Sequence, residues 1–362
     1  MIGSLAPPDT TGPDPRRIGP AGEGLAILVN ANAKRGGRRV AVQLARGLPG
    51  AIVKLTRTQD EMDAWLTAQL GGARPPACFL AAGGDGTAIA LVGGLSRVVR
   101  RGPLPAFGVL PLGTGNAWAN TTGAPKLREA IELLDEAGRT GRAIPLRRFG
   151  LVEAFPGGRD SGAPGVLTHM AGSGWDAQVL NDYKEQLAAA GGGRAAKSVY
   201  GYLGAVFLRT APKVALHGRP NIIIENLGDE VYGLDDQTRL VKLSLGRGAI
   251  LYDGPMSVAG AATCMEFGYR FRAYPHAERF LGKLSVRVYD KGWLGGLTDI
   301  PKLWIGQHPL LGMHDWFTTG ARMTFSRPTP MQIGGDAVGL HRVVEYYAAE
   351  REAWLIDWRL LH

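Results

Sequence analysis

Apolar and polar residues follow one another along the first 140 residues in a pattern typical of strands that alternate with helices. Short apolar runs predict strands at 25–30, 51–56, 77–82 and 106–111. Amphipathic or helix-compatible segments predict helices at 38–48, 60–70, 88–98 and 127–137. This spacing predicts a mostly parallel, doubly wound sheet, in which ligands bind at the carboxyl ends of the strands.

After about residue 144, helical periodicity becomes scarce and short alternating runs predominate. They predict strands at 150–155, 221–225, 240–245, 283–289, 322–326, 343–347 and 354–357. An exception is the segment 197–208, which has helical spacing and follows the glycine run 191–193. The pattern therefore predicts an α/β protein: an N-terminal Rossmann-like domain and a mainly antiparallel β-sandwich domain.

The domain boundaries follow from these changes of pattern. We predict a disordered segment at 1–23, an α/β domain at 24–143 and a β-rich domain at 144–343. Residues 344–362 are expected to return to the first domain. The proline-rich start lacks the apolar core of a signal peptide, and the chain contains no apolar run of about 18 residues that would span a membrane.

Composition narrows the class of protein only modestly. Hydrophobic residues make up 45% and charged residues 20% of the chain, which is ordinary for a globular protein. Cys78 and Cys264 both lie in apolar segments, so buried free thiols are favoured over a disulfide. The net charge of +9 fits nucleic acid, an anionic membrane surface or phosphorylated small molecules. Nucleic acid is the weakest of these, because the basic groups are dispersed and no nucleic-acid-binding motif is present.

The segment Gly83-Gly84-Asp85-Gly86-Thr87 joins a predicted strand to a predicted helix. Glycines allow backbone amides to approach an anion, and the start of a helix adds partial positive charge. Thr87 is expected to cap this helix. Asp85 would repel phosphate unless a cation lies between them, so it is a candidate for Mg²⁺ contact or proton handling. An ordinary strand-to-helix turn is the structural alternative.

A second turn, 113–116, ends the next predicted strand and carries Thr114 and Asn116. Asn30 and Asn32 follow the first strand and could contact the same ligand. Asp176 could cap a helix or point into a cleft, and the structural role is favoured. Asp336 is another isolated acid in a glycine turn, and it could meet Asp85 across a cleft between the domains.

The segment from Gly292 to Trp316 is rich in Trp and Leu. Such residues favour membrane interfaces, and core packing of a β domain is an equal alternative.

In this order, the motifs resemble those of the diacylglycerol kinase catalytic-domain family, which includes bacterial lipid kinases and sphingosine kinases. The resemblance extends from about Leu25 to the C-terminus and implies a phosphofructokinase-like first domain. It implies a nucleotide site made of Asn30, Ala31, Asn32, Ala33, Lys34, Thr58, Gly83, Gly84, Asp85, Gly86, Thr87, Gly113, Thr114 and Asn116. Residues 172–177 match a second-domain signature containing Asp176. Residues 331–339 match the segment that carries the family's general base, and Asp336 takes that position.

Several positions depart from the family pattern. Ala31 replaces a proline, Ala117 replaces a frequent acid, and Gly334 replaces an aspartate. Asp336 is one methylene shorter than the usual glutamate. The stretch 278–285 lacks the acids that hold a structural Mg²⁺ in bacterial relatives, so that metal is not predicted.

The resemblance implies an ATP-dependent lipid kinase of phospholipid metabolism, cytoplasmic and peripherally bound at the inner face of an anionic membrane. Mg²⁺ accompanies ATP, Asp85 helps to hold it, directly or through water, and Asp336 is the base. Diacylglycerol is the default acceptor, and a sphingoid base, ceramide or another lipid alcohol remains open. A homodimer is also left open. The alternatives are a soluble-substrate kinase of the NAD-kinase type, since those enzymes carry a related glycine turn, and a nucleotide- or lipid-binding protein that has lost catalysis.

Overall fold

The structure is a computed structural model that describes residues 16–31, 37–113, 116–178, 180, 218–268 and 270–361. The helix predicted at 197–208, the glycine run 191–193 and the N-terminal fifteen residues lie outside this range. Within it, no helix is long and apolar enough to cross a membrane. Cys78 and Cys264 are both buried free thiols, as predicted.

The first sheet contains six described strands in the order β2-β1-β3-β4-β18-β5. Its strands are β1 Leu25–Asn30, β2 Ile52–Thr56, β3 Cys78–Gly83, β4 Phe107–Pro111, β5 Leu146–Phe149 and β18 Ala353–Ile356. Its helices are α1 Gly37–Gly47, α2 Gln59–Leu70, α3 Asp85–Val98, α4 Ala117–Thr121 and α5 Leu127–Thr140. The predicted strands and helices of this half are thus confirmed to within a few residues.

The central strands of this sheet are apolar throughout because helices cover both faces. Residues of α2 and α3, such as Trp65 and Leu91, pack on one face, and residues of α1 and α5, such as Leu44 and Leu134, pack on the other. Strands β1, β2, β3 and β4 pair in parallel. Their carboxyl ends therefore lie at one edge of the sheet, and the polar turns that follow them meet there.

The second sheet is antiparallel and contains twelve described strands. They are β6 Val152–Pro156, β7 Val166–Thr168, β8 Met170–Gly174, β9 Asn221–Asn226, β10 Val231–Leu234, β11 Leu240–Leu243, β12 Ile250–Pro255, β13 Val258–Ala262, β14 Leu284–Tyr289, β15 Met313–Thr318, β16 Gly320–Ile333 and β17 Asp336–Ala348. Side chains from alternating positions form its core, including Ile222, Val286 and Met323. The predicted fold class, with parallel and antiparallel halves, is confirmed.

One strand and one hairpin depart from a simple division of the chain into two halves. The C-terminal strand β18 lies between β4 and β5 of the first sheet, where Leu355 pairs with Phe107 and Ala353 with Phe149. The long hairpin β16–β17 runs through the second sheet, and Gly334 at its tip lies against Ile89 of α3. The end of the chain thus completes the sheet with which it begins.

Two of the described helices were not predicted from the sequence, the short α4 and a helix in the second half of the chain. The Trp- and Leu-rich segment forms α6, Trp293–Trp304, which contains Pro301. Two glycines and an internal proline lower the helix propensity of this segment. Tertiary packing supplies the compensation: a Cβ on Gly296 would lie 2.4 Å from the ring of Trp175, so only glycine allows the helix to approach so closely.

Candidate functional site

The two glycine turns lie side by side at the carboxyl ends of β3 and β4. The carbonyl oxygen of Gly83 accepts hydrogen bonds from the amides of Leu112 (2.9 Å) and Gly113 (3.2 Å). A Cβ on Gly113 would lie 2.4 Å from the Cα of Gly84. The two backbones are therefore in direct contact, and glycine is required for the turns to adjoin.

Thr87 joins the first of these turns to β1 and does not cap α3 as expected. The N-cap of α3 is Gly84, which has no side chain to cap with. The Thr87 hydroxyl instead accepts a hydrogen bond of 3.0 Å from Asn30 Nδ2. It also occupies the space above Gly83, where a Cβ would lie 2.2 Å from Thr87 Oγ1. Three strand ends, those of β1, β3 and β4, are thus tied into one surface.

The carboxylate of Asp85 faces the start of α4. Burial raises its pKa to about 6, and the backbone amides of Asn116, Ala117 and Trp118 partly oppose that rise. Within the described part of the chain, its buried Oδ1 atom receives no hydrogen bond. Ala117, which stands where the family often has an acid, is completely buried beside these amides. Asp85 thus links the two turns while keeping one coordination position on Oδ1.

Asn116 shapes the second turn through both ends of its amide group. Its Oδ1 accepts from the Gly113 amide at 3.1 Å, and its Nδ2 donates to the Gly113 carbonyl at 3.0 Å. Its backbone is left-handed, with φ of 56°, a conformation that asparagine tolerates better than most residues. Asn116 therefore fixes the turn, and Thr114 lies outside the described residues.

The hairpin β16–β17 carries Asp336 to the first glycine turn. Its two turn residues, Gly334 and Gly335, have φ of 55° and 87°, as a two-residue hairpin of this kind requires. Asp336 Oδ2 lies 3.0 Å from the position that a Cβ on Gly86 would take. A carboxylate from the second sheet is thus placed over the amino end of α3, at Gly86, the residue that follows Asp85. The departure at Gly334 also has a packing reason, since a Cβ there would lie 1.9 Å from Ile89 Cδ1.

Gln332, which sequence analysis did not single out, connects this hairpin to Asp176. Its Oε1 accepts from the Gly335 amide at 2.8 Å, and its Nε2 donates to Asp176 Oδ2 at 3.2 Å. The side chain is fully buried. Its signal in the sequence was a lone amide between Met331 and Ile333 in an apolar strand. Asp176 itself follows β8 at the start of a helical segment, with its Oδ2 over Gly172.

Replacing Gln332 by leucine should destabilise the fold at this junction. The change leaves the Gly335 amide and Asp176 Oδ2 without their buried partner, and each unpaired group costs roughly 1–3 kcal/mol. We expect the free energy of unfolding, measured in urea, to fall by about 2–4 kcal/mol. A matched control is Gln237→Leu on the partly exposed turn between β10 and β11, which should change it by less than about 0.5 kcal/mol. An equal loss in both variants would contradict the bridging role.

Asp176 should make stability depend on pH. Burial raises its pKa from 3.8 to about 6, while the Gln332 hydrogen bond lowers it in part. Below pH 4 the carboxyl group is protonated in both the folded and the unfolded state and does not affect stability. As the pH rises above 4, the unfolded state ionises more readily than the folded state, so the free energy of unfolding falls. Asp176→Asn should gain stability relative to the wild type between pH 4 and pH 7, by at most about 3 kcal/mol. Urea titrations of both proteins at pH 4 and pH 7 measure this gain. A stability difference between Asp176→Asn and the wild type that does not grow with pH would refute the prediction.

Other site residues stand as follows. Thr58 caps α2, its Oγ1 accepting from the Glu61 amide at 3.2 Å, and its nucleotide contact remains a prediction. The Ala31 amide donates to the Thr56 carbonyl at 2.9 Å, which fixes the first turn beside β2. Asn32, Ala33 and Lys34 lie outside the described residues.

A buried aromatic pair behind the second turn was also missed. The rings of Trp118 and His169 lie 4.8 Å apart, and both residues are completely buried. Burial lowers the pKa of His169 to about 3, so the ring is neutral at physiological pH. Trp118 belongs to α4, and His169 is the residue between β7 and β8, so the pair packs the first domain against the second. It therefore helps to fix the position of one domain relative to the other.

The described residues contain no cluster of three or more His, Cys, Asp or Glu side chains that would enclose a metal. Mg²⁺ bound with phosphates needs less, because it keeps several waters and takes one or two carboxylates. The carboxylate of Asp85, whose Oδ1 receives no hydrogen bond from the described residues, fits that requirement. The site is thus compatible with Mg²⁺ brought by a nucleotide.

The site thus combines contacting glycine turns at parallel strand ends with an acid supplied by a second sheet. Residues 25–145 match the family model of the diacylglycerol kinase catalytic domain. The family resemblance inferred from the motifs is therefore confirmed for this domain.

Two curated proteins match part of this chain in sequence. Two diacylglycerol kinases of Staphylococcus aureus, from strains bovine RF122 / ET3-1 and MRSA252, are each 32% identical over 108 residues. That match covers 27% of this chain and 33% of the length of each relative.

Two solved structures from Bacillus anthracis str. Sterne align along nearly the whole chain. A diacylglycerol kinase has a TM-score of 0.55 at 13% identity and covers 92% of this chain and 96% of its own. A provisionally assigned diacylglycerol kinase has a TM-score of 0.61 at 14% identity, covering 96% and 97%. At these identities the likeness establishes the fold.

Proposed function

We propose that the protein is an ATP-dependent lipid kinase that transfers the γ-phosphate to a lipid hydroxyl, with diacylglycerol the first candidate. One observation carries the proposal: Asp336 of the second sheet lies over Gly86 at the amino end of α3. Phosphoryl transfer requires mainly that the two reactants be positioned and their charge neutralised. If the amino end of α3 holds the phosphates, an acceptor hydroxyl would approach the same point and would need a proton acceptor there. The carboxylate of Asp336 lies at that position.

The first domain would hold the nucleotide. Its glycine turns present backbone amides without Cβ atoms, and α3 directs its positive end toward the same point. Asn30 and Asn116 keep the turns in place through hydrogen bonds with Thr87 and Gly113. Asp85, directly or through water, would hold Mg²⁺, which would supply neutralisation of the phosphate charge.

The second domain would present the acceptor. Asp336 accepts the hydroxyl proton as the acceptor oxygen forms a bond to the γ-phosphorus. The bond between that phosphorus and the bridging oxygen breaks, and ADP leaves with the electron pair. Gln332 acts as a positioning residue, because it holds the turn before Asp336 against the partly buried Asp176.

The departures from the family pattern are accommodated by packing. Gly334 avoids collision with Ile89, and Ala117 is buried beside the amides that face Asp85. Asp336 itself remains over Gly86. This supports retained catalysis over a binding protein that has lost it.

A labelling experiment tests the proposal. The purified chain is incubated with γ-labelled ATP and Mg²⁺ and with diacylglycerol, sphingosine, ceramide, NAD or glucose. Label in a lipid alcohol supports the lipid kinase. Label in NAD alone would replace it by a soluble-substrate kinase, and no labelled product with intact nucleotide binding would indicate a binding protein.

A further inference from the structure

Helix α6 is oriented opposite to an ordinary surface helix. Its acid, Asp299, is buried, and accepts hydrogen bonds from Tyr289, Lys291 and Lys302. Two apolar residues, Leu294 in its first turn and Ile305 directly after its last residue, are 64% and 67% exposed. The spacing of Leu294, Thr298, Pro301 and Ile305 places these exposed positions along one stripe of the helix. An exposed apolar stripe of this kind is typical of an interaction surface.

More exposed apolar surface lies at both ends of α6. Trp304, its last residue, is 39% exposed, and Leu311 is 82% exposed. Leu311 precedes Gly312, where a Cβ would lie 2.6 Å from Asp290 Oδ1 and 2.7 Å from the side chain of Lys291, just before α6. We call Leu294, Trp304, Ile305 and Leu311 the α6 surface.

The charges around the α6 surface are one-sided. Among the described residues of 261–318, every acidic residue is buried or partly buried, whereas Arg270, Arg272 and Lys302 are exposed. Arg272 lies at the end of α6, where its amide donates to the Trp304 carbonyl. Buried Asp299 is shared by Lys291 and Lys302, so this group retains a net positive charge. Exposed apolar side chains flanked by exposed cations complement an anionic lipid surface.

The α6 surface also lies near the acceptor side of the site. The helix packs through Gly296 on Trp175, which precedes Asp176, and Asp176 accepts from Gln332 of the hairpin that carries Asp336. We propose that α6 docks the protein on an anionic bilayer through Leu294, Trp304, Ile305 and Leu311, with Arg272 and Lys302 contacting lipid headgroups. This goes beyond the kinase proposal, since docking requires no catalysis.

Vesicle sedimentation without ATP tests the proposal, using the full chain and phosphatidylcholine vesicles with or without phosphatidylserine. Leu294→Gln/Ile305→Gln should lower the partition coefficient on the anionic vesicles at least about tenfold. Arg272→Gln should lower it about fivefold. The matched control, Val42→Gln/Ile250→Gln, changes two side chains that are 46% and 51% exposed elsewhere and should stay within about twofold. Leu294→Trp should bind at least as well as the wild type, which separates loss of contact from loss of folding.

Three results would overturn the docking surface. The first is that the wild type does not bind anionic vesicles. The second is that the Leu294→Gln/Ile305→Gln variant binds them as well as the wild type does. The third is that the wild type sediments as a dimer and this variant as a monomer, which would assign the α6 surface to a second copy of the chain. Vesicle binding with no lipid labelled in the kinase assay would leave the docking surface standing and refute the kinase.

Discussion

Asp336→Asn should lower turnover by about 10²–10⁴-fold while leaving ATP affinity within about twofold of the wild type. An asparagine of nearly the same size retains the turn and the packing over Gly86, but it cannot accept the acceptor's proton. The measurement pairs initial rates of lipid phosphorylation with calorimetric binding of a non-hydrolysable ATP analogue. The two readouts separate a role in proton transfer from a role in nucleotide binding.

Two controls make this result specific. Asp236→Asn removes a carboxylate from an exposed position between β10 and β11 and should leave both readouts unchanged. Asp336→Glu keeps the carboxylate with one more methylene and should recover part of the turnover. Comparable activity of Asp336→Asn and the wild type would refute Asp336 as the base.

Gly113→Ala should abolish most nucleotide affinity. Its Cβ would lie 2.4 Å from the Cα of Gly84, so the two turns must separate. No flexible side chain can move aside to relieve this contact, because the obstructing atom belongs to the backbone. Overpacking of this kind costs about 1–3 kcal/mol, and the displaced amides would no longer converge on one phosphate. We expect the dissociation constant for the ATP analogue to rise at least about tenfold.

The control for this change is Gly246→Ala. Gly246 lies between β11 and β12, where an added Cβ would meet no atom within 4 Å. This variant should bind the analogue as the wild type does. If Gly113→Ala also binds it normally, the contacting turns are not the nucleotide site.

The first half of the fold could be predicted from sequence because each of its elements carries a local signal. Buried parallel strands such as 25–30 are continuous apolar runs, and the glycine turns between them have distinctive composition. The approach of Asp336 to Gly86 has no such signal, since it depends on how two sheets pack. The sequence could suggest that Asp85 and Asp336 share a cleft, but not that Asp85 faces the amides of α4.

The remaining differences arise where tertiary contacts override local preference. Helix α6 forms despite its glycines and Pro301 because Gly296 is held against Trp175. Thr87 bonds to Asn30 rather than capping α3, since the strand end of β1 lies within its reach. The role of Gln332 is similarly invisible locally, because both of its partners come from other segments.

The position of β18 has a consequence for how the chain folds during synthesis. Because β18 fills the space between β4 and β5, the first sheet stays open until residues 353–356 have left the ribosome. The second sheet has all its strands before that point. Pairings between segments so distant in the chain are slow to form, since the connecting loop must first be closed. The N-terminal half should therefore be the last to become protected against proteases, although it is made first.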